Sequence, residues 1–579
     1  MPNDMYHPSP LMPPIKMPKR LYKEPPVHLP QPNVGGGSQA KRPKSKPVEE
    51  MTEQEIQQYL TYARKALANQ DTANWGEKQS IIAKLALINR PESVMVLIGA
   101  LADKWAPTVE AAVIALAGML QEQTIPLLAD ALQRDVKPAV RAGAAWALGL
   151  KHDATQLPGL VRALSDKMPE VQQAAVEAID EIGATAAEVP SLVQLLASKS
   201  ASMRAAVLRA LGTPGLGTTD AILPLLNDND PIVRATATRA LAQVNPDKFL
   251  TDVLPDTKET YYPVLLARLY ALAILIREHP GNSAYQQEYL KLALKYLDNR
   301  EWAVRARAIE TLFDIRTADV IAPLIARIDK ENGRLQADVV STLKTLTGQD
   351  IGLNVVGWNN WWKIHRDSWV PYAGTPTEAT PVNATIALPM FQGLNVLSKK
   401  VVFVIDMSGS MIRQHPERVQ AAVKDLAKTI MAMPADAEGS VVIMNARTPK
   451  EGGRYWSKTL KALNGANKID LQNFVARVLA SLTVKGTGTG DFEPALEDAM
   501  NIPGVDTIYV WSDGYPTGGK HITPAGILDA IQRVNQYKSI RINSIITEDP
   551  ERWTRDTETM EEEFMRTLAG TNSGEYVKR

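Results

Sequence analysis

The feature that most constrains the fold of this 579-residue chain is a repeat of about 31 residues in its middle. Each repeat has an apolar anchor, and five successive anchors are spaced 31, 31, 32 and 30 residues apart: Val109, Val140, Val171, Met203 and Val233. Each anchor opens an Ala-rich segment with apolar residues on a 3.6-residue period, and a second helical segment precedes it. Because one helix pair cannot bury its own apolar face, such pairs must stack into an α-solenoid.

Acidic residues recur five or six positions before these anchors, at Asp103, Asp135, Asp166, Asp228 and Asp298. There they are expected to cap the incoming helix and to pair with arginines of the stack, namely Arg141, Arg234 and Arg305. The same arginines would alternatively form a phosphate-binding stripe. Their regular spacing favours a ladder, that is, a series of ion pairs with the aspartates along the stack of repeats. The pattern resembles HEAT-type repeats over roughly residues 52–350. That resemblance implies a concave protein-binding scaffold.

The solenoid is expected to span residues 51–370 and to end in a cap rich in tryptophan, with Trp358, Trp361, Trp362 and Trp369. The alternative for this aromatic cluster is a binding platform for sugars or bases. A Pro- and Thr-containing linker is predicted over residues 371–390. Residues 1–50 hold twelve of the 39 prolines and a basic stretch, and they predict a disordered arm that serves either as an interaction tail or as a solubilising linker.

Composition excludes several functional classes. Zero cysteines exclude disulfides, thiolate metal sites and cysteine nucleophiles. Since 64 basic residues balance 64 acidic ones, no global charge favours nucleic acid, and we expect no nucleic-acid partner. No apolar run reaches eighteen residues and no signal peptide is visible, so no transmembrane segment is expected. The compartment stays open: cytoplasmic by default, with export not excluded.

The periodicity changes after Lys399, where short apolar β-branched runs alternate with amphipathic helical segments. Strands are expected at 401–405, 439–444, 507–511 and 540–546, with helices between and after them. This alternation predicts a doubly wound α/β domain of Rossmann-like type over residues 391–579. Ligands of such sheets bind beyond the carboxyl ends of the strands.

The first of these strands ends in the motif Asp406-Met-Ser408-Gly-Ser410. One carboxylate and two hydroxyls on a turn are hard oxygen donors of low total charge, which suit Mg²⁺ or Mn²⁺. With these residues the C-terminal segment resembles a von Willebrand factor A domain and its metal-ion-dependent adhesion site. The resemblance implies a further ligand, Thr489, on a Gly-rich loop, with Thr487 as the alternative. It also implies Asp513 at the end of a later strand, acting through water.

We therefore expect a non-enzymatic protein-binding scaffold. Its A domain would bind Mg²⁺ or Mn²⁺ and capture an Asp or Glu carboxylate of a partner protein, and the solenoid would be a second interaction surface. Two alternatives stay open. One is an accessory or adaptor subunit that presents a client to an ATPase machine, as some members of the A-domain family do. The other is an exported structural protein of the cell envelope.

Overall fold

The computed structural model describes residues 46–69, 75–255, 258–373, 388–414, 416–445, 453–485, 488–547 and 559–579. These residues divide into a first compact unit, before residue 256 together with Lys520–Thr523, and a second unit that holds the rest. Most of the predicted N-terminal arm and of the predicted linker, together with Thr487, lie outside the described residues. Within the predicted arm, Val48–Glu50 form a single 3₁₀ turn.

The first unit is built from successive α-helices. They are α1 (Glu53–Ala68), α2 (Trp75–Ile88), α3 (Pro91–Ala100), α4 (Ala106–Gly118), α5 (Gln121–Arg134), α6 (Pro138–Leu150), α7 (Leu157–Ala163), α8 (Pro169–Ile182), α9 (Val189–Leu195), α10 (Ala201–Leu211), α11 (Thr219–Ile222), α12 (Pro231–Val244) and α13 (Pro246–Lys248). The anchor helices α4, α6, α8 and α12 start at a proline or one residue before it. Proline suits the first turn because its missing N–H has no helical partner there. The predicted helical solenoid is confirmed.

The acidic residues before the anchor helices make the turn that starts each helix. Oδ1 of Asp135, Asp166 and Asp228 accepts a hydrogen bond from the backbone N–H two residues later, at 2.8, 2.9 and 2.8 Å. The carboxylates of Asp166 and Asp228 also accept hydrogen bonds from an arginine of the preceding repeat. Arg141 Nε and Nη2 donate to Asp166 at 2.7 and 2.8 Å, and Arg204 donates to Asp228 at 2.7 and 2.6 Å. At these two junctions a repeat is thus linked to the next by a bidentate ion pair.

The ladder continues with changed residues elsewhere. Arg305 pairs with Glu331, at 2.7 and 3.2 Å, where an aspartate is expected. Asp298 pairs instead with Arg327 at 2.8 Å. At the other end of the repeats, Asp103 forms a buried pair with Lys78 at 2.6 Å. The residue types therefore vary along the ladder, and Asp298 takes its cation from 29 residues later in the chain and not from the repeat before it.

Replacement of Arg141 by alanine should destabilise the first unit by about 2 kcal/mol, because Asp166 would lose a charge-assisted partner in a largely buried place. Both side chains are only 14% and 13% exposed. The free energy of unfolding is measured by urea denaturation of the full chain. Arg134→Ala is the matched control: Arg134 is 81% exposed in its pair with Asp130, so its loss should cost below about 0.5 kcal/mol. Equal costs for the two variants would contradict the ladder's role.

The second unit begins with helices that continue the helical region. They are α14 (Tyr262–Glu278), α15 (Ser283–Tyr296), α16 (Trp302–Ile315), α17 (Ile321–Ile325), α18 (Gly333–Thr347) and α19 (Val355–His365). Trp358 in α19 is fully buried and its Nε1 donates to Gly352 O at 2.8 Å, as a cap residue would. Trp361 stacks on Trp362 with ring centres 6.1 Å apart, and both are partly exposed.

The rest of the second unit is an α/β domain. Its strands are β1 (Met390–Phe391), β2 (Leu394–Asn395), β3 (Lys400–Asp406), β4 (Glu438–Met444), β5 (Lys461–Ala462), β6 (Thr507–Ser512), β7 (Arg541–Ile546) and β8 (Tyr576–Lys578). Its helices are α20 (Gly409–Gln414), α21 (Pro416–Ala432), α22 (Gly465–Lys485), α23 (Phe492–Met500), α24 (Pro524–Asn535) and α25 (Met560–Thr571). All four strands expected from the sequence are present within one residue of their predicted bounds.

The main sheet has six strands in the order β5-β4-β3-β6-β7-β8. All neighbouring pairs are parallel except the short β5, which is antiparallel to β4. From β3 the chain adds β4 and then β5 on one side of the sheet. It then crosses over to β6 and adds β7 and β8 on the other side. The α/β architecture is confirmed. In sheets of this kind the crevice beyond the carboxyl ends of the two central strands, here β3 and β6, is the usual place for a ligand.

A buried arginine joins α18 to the opposite, amino edge of this sheet. The Arg334 side chain is 1% exposed. Its Nη1 donates to the backbone oxygens of Asp506 at 2.6 Å and Ser539 at 2.9 Å, in the loops before β6 and β7. Its Nε donates to Asp338, whose other oxygen lies 2.8 Å from Arg541 Nη2. The last helices before the sheet and the sheet itself are therefore packed within one unit.

No helix among the described residues is long and apolar enough to cross a membrane.

Candidate metal centre

The first predicted loop lies at the carboxyl end of β3, where the strand turns into α20. Asp406 is 1% exposed, and its Oδ1 accepts a hydrogen bond from Ser408 N at 2.8 Å. This bond folds the chain back so that two hydroxyls share one side of the turn. Ser408 Oγ and Ser410 Oγ lie 3.0 Å apart. The structure thus brings together the three residues of the Asp-x-Ser-x-Ser motif.

The third predicted loop follows β6, the neighbour of β3. Ser512 Oγ donates to Asp406 Oδ2 at 2.6 Å and accepts from Gly514 N at 3.0 Å. Asp513 Oδ1 accepts from Tyr515 N at 3.0 Å. Asp406 and Asp513 stand at the carboxyl ends of the adjacent parallel strands β3 and β6, at the switch point of the sheet.

The Gly-rich second loop lies against the first. Gly409 N donates to Gly488 O at 3.0 Å, and a Cβ on Gly490 would be 3.3 Å from Ser408 Cβ. Thr489 lies between these contacts. Its hydroxyl is directed at Gly518, where a Cβ would come within 2.3 Å of Thr489 Oγ1. The loop of Thr489 therefore lies against the first loop, with the threonine hydroxyl facing Gly518, and position 518 has to be a glycine to leave room for it.

Electrostatics at this edge favour a cation. Burial, together with the nearby charge of Asp513, raises the pKa of Asp406 to about 7. Burial also raises the pKa of Asp491, next to the second loop, to about 6, although Arg454 opposes this shift. The carboxylates of Asp406 and Asp513 repel each other when both are ionised, the burial of Asp406 strengthens this repulsion, and a divalent cation between them would remove that cost.

The donor set fits a small hard cation. Two oxygens on one edge of an octahedron around Mg²⁺, each about 2.1 Å from the ion, lie about 3.0 Å apart. The two serine hydroxyls have this separation. Within the described ranges no group of three or more His, Cys, Asp or Glu side chains converges, so a site here would rely on hydroxyls beside its two carboxylates. Such a set matches Mg²⁺ or Mn²⁺ better than zinc.

Three polar residues that hold these loops were not predicted. Ser512 bridges Asp406 and the third loop, as described above. Asn445, directly after β4, donates to Met407 O and accepts from Gly488 N at 3.1 Å, so it joins the first and second loops. Thr517 Oγ1 accepts from Gly490 N at 2.7 Å and joins the second and third. Their only signal in the sequence is that Ser512 and Asn445 lie at strand ends.

Comparison with known families supports the repeat architecture that the sequence predicts for the first half of the chain. The profile described as HEAT repeats matches residues 64–149, 125–212 and 189–273. The predicted HEAT-type repeats are thereby confirmed, and such repeats indicate a scaffold for protein interactions. Among curated proteins, none matches this sequence.

Three of the solved structures that are similar to this chain are distant likenesses. An engineered protein is 18% identical with a TM-score of 0.28, over 52% of this chain and 94% of its own. The complex of CpcE and CpcF of phycocyanin lyase from Nostoc sp. is 17% identical with a TM-score of 0.21, over 56% and 99%. The Escherichia coli protein YibA is 16% identical with a TM-score of 0.28, over 51% and 98%. At such scores these likenesses indicate nothing about function.

Proposed function

We propose that the α/β domain is a von Willebrand factor A domain that binds Mg²⁺ or Mn²⁺ and uses the ion to hold a carboxylate of a protein partner. Asp406, Ser408, Ser410, Thr489 and Asp513 would hold the ion, with Asp513 acting through water. The HEAT repeats would offer a second interaction surface on the same chain. Two binding surfaces on one chain raise the effective concentration of each for a shared partner or complex.

The observation that carries this proposal is the pair of serine hydroxyls 3.0 Å apart beside the buried Asp406, at the switch point of the sheet. A turn without a ligand needs neither a buried carboxylate nor a second acidic residue next to it. The ion, when bound, would supply a positive charge and a coordination position that protein oxygens leave open. An Asp or Glu side chain of a partner suits that position, since hard cations prefer carboxylate oxygen.

We further propose that the protein is not an enzyme and that binding is its whole activity. The hydroxyls of Ser408 and Ser410 are directed at each other. Asp406 is occupied by hydrogen bonds from Ser408 N and from Ser512 Oγ. These residues are hydrogen-bonded to one another and to the neighbouring loops in a way that suits ligands of an ion, and we assign none of them the role of a nucleophile.

Magnesium should stabilise the second unit against heat. At a concentration 100-fold above its dissociation constant, an ion that binds only the folded state adds about 2.7 kcal/mol. For a unit of this size that is a rise in Tm of about 3–8 °C. The measurement is thermal unfolding of the full chain at pH 8, with Mg²⁺, Mn²⁺ or EDTA. At that pH the Asp406 carboxyl, whose pKa is about 7, is mostly ionised.

Asp406→Asn should abolish the shift, because the amide keeps the size of the side chain but removes its charge. Asp529→Asn is the control. Asp529 is 49% exposed and pairs with Arg533 on α24, so this variant should keep the full shift. A wild-type Tm that is the same in Mg²⁺, Mn²⁺ and EDTA would refute the metal site.

The capture of a partner's carboxylate is tested with free glutamate and the Mn²⁺-loaded protein. Glutamate should displace water from the bound Mn²⁺ and so lower the enhancement of water-proton relaxation that the bound ion produces.

A further inference from the structure

The start of helix α23, directly after the second loop, breaks an ordinary rule of helix capping. Asp491 is the N-cap residue of α23, but its side chain makes no hydrogen bond to the first turn. Aspartate at this position normally accepts the N–H of the second or third helical residue. Here the carboxylate, which is 4% exposed, binds Nη2 of Arg454 instead. The helix therefore does without its usual cap, and the carboxylate is used elsewhere.

Arg454 is itself held against β4. Its backbone oxygen accepts from Ile443 N at 2.8 Å, and Trp456 N donates to Val441 O at 3.0 Å. The Arg454 side chain is 7% exposed, and its Nε lies 3.4 Å from Asp498 on the next turns of α23. The guanidinium thus connects the edge of β4 to the beginning of α23 through a buried ion pair.

This connection completes the support of Thr489. On one side of Thr489, Gly488 is held by Asn445, and on the other side Gly490 is held by Thr517. Asp491 comes next, and Arg454 is its charged partner. Two of these supports come from the region of β4 and one from the region after β6. Asn445 follows β4, Thr517 follows β6, and Arg454 lies alongside β4.

We propose that Arg454 is a positioning residue for the metal centre: by binding Asp491 it holds the loop of Thr489 in the place where its hydroxyl can serve the ion. This inference rests on the proposed function, since it needs an ion to bind. Burial of an ion pair is a poor source of stability, because desolvation offsets most of the attraction. A pair that also displaces a helix cap is better explained by the geometry that it imposes. Supports behind metal ligands typically change metal affinity 10- to 100-fold.

The test is the dissociation constant of Mn²⁺, measured on the full chain by electron paramagnetic resonance and for Mg²⁺ by competition. Arg454→Gln should weaken binding about 10- to 100-fold. Asp491→Asn should do the same, and the double variant should be no weaker than either single one, because both act through one contact. Arg454→Lys keeps the charge and should restore part of the affinity.

Lys468→Met is the matched control for loss of a buried cation in the same domain. Lys468 is 8% exposed and its Nζ donates to Met431 O at 3.0 Å and Met433 O at 2.6 Å, so its loss should lower the Tm. Its Mn²⁺ affinity should equal that of the wild type. If Arg454→Gln binds Mn²⁺ with the wild-type affinity while Asp406→Asn does not bind it, the role of Arg454 is overturned and the metal site stands. No Mn²⁺ binding by the wild type would instead refute the site itself, and this inference with it.

Discussion

Arg334→Met should destabilise the second unit by about 3–5 kcal/mol, the usual cost of removing one partner from a buried ionic network. The backbone oxygens of Asp506 and Ser539 would each lose a donor, the first in a partly buried place and the second in a buried one. Burial already raises the pKa of the Asp506 carboxyl, and Arg334 is the largest influence that opposes this shift. Methionine keeps the unbranched apolar stem of the side chain and replaces the guanidinium, so the loss is mainly one of charge and hydrogen bonds.

The measurement is guanidinium denaturation of the full chain, followed by tryptophan fluorescence. Arg366→Met is the control, because Arg366 is 61% exposed and pairs with Asp367 at 3.5 Å. Its loss should change the free energy of unfolding by less than about 0.5 kcal/mol. If the two variants unfold at the same denaturant concentration, the Arg334 network does not hold α18 to the sheet.

Gly574→Ala should be at least as harmful, at about 3 kcal/mol or more, because there is no space for a methyl group. A Cβ on Gly574 would lie 1.9 Å from the backbone oxygen of Ile542 in β7 and 3.0 Å from Asn543 N. Neither atom belongs to a side chain that could turn away. The connection between α25 and β8 would have to move off the sheet, with the loss of bonds such as Glu575 N to Asn543 Oδ1 at 2.8 Å.

Gly465→Ala tests whether this effect comes from the contact and not from glycine loss in general. Gly465 is the first residue of α22, and nothing lies within 4 Å of the place that its Cβ would take. We expect a change within about 0.5 kcal/mol. The free energy of unfolding is measured as for Arg334→Met. A Gly574→Ala protein as stable as Gly465→Ala would mean that the close approach to β7 is relieved at little cost.

Features with a period or a contiguous motif could be predicted from the sequence. The repeat of 31 residues predicted the solenoid, and the pair of Arg141 with Asp166 formed as the spacing suggests. The strand-end positions of Asp406 and Asp513 were predicted because apolar runs precede them. Asp406, Ser408 and Ser410 come together because they are close in sequence, and one turn is enough to join them.

Features that depend on distant parts of the chain could not be predicted. Arg454 and Asp491 are 37 residues apart, and Arg334 is 172 residues from Asp506. Nothing near any of these residues in the sequence marks its partner, since an arginine in a helix or loop is most often solvated. Strands β5 and β8 are only two and three residues long, too short to show a period. They are strands because a neighbouring strand supplies the hydrogen bonds.

The forward-reaching ladder has a consequence for the history of the chain. Arg141 and Arg204 each bind a carboxylate 25 or 24 residues ahead, in the repeat that follows. The repeat of Val140 carries one half of the contact at each end, Asp135 before its anchor helix and Arg141 within that helix. Duplication of such a repeat by unequal recombination would bring its arginine to the aspartate of its own copy. The scaffold would then gain a repeat in one genetic step without a new interface having to evolve.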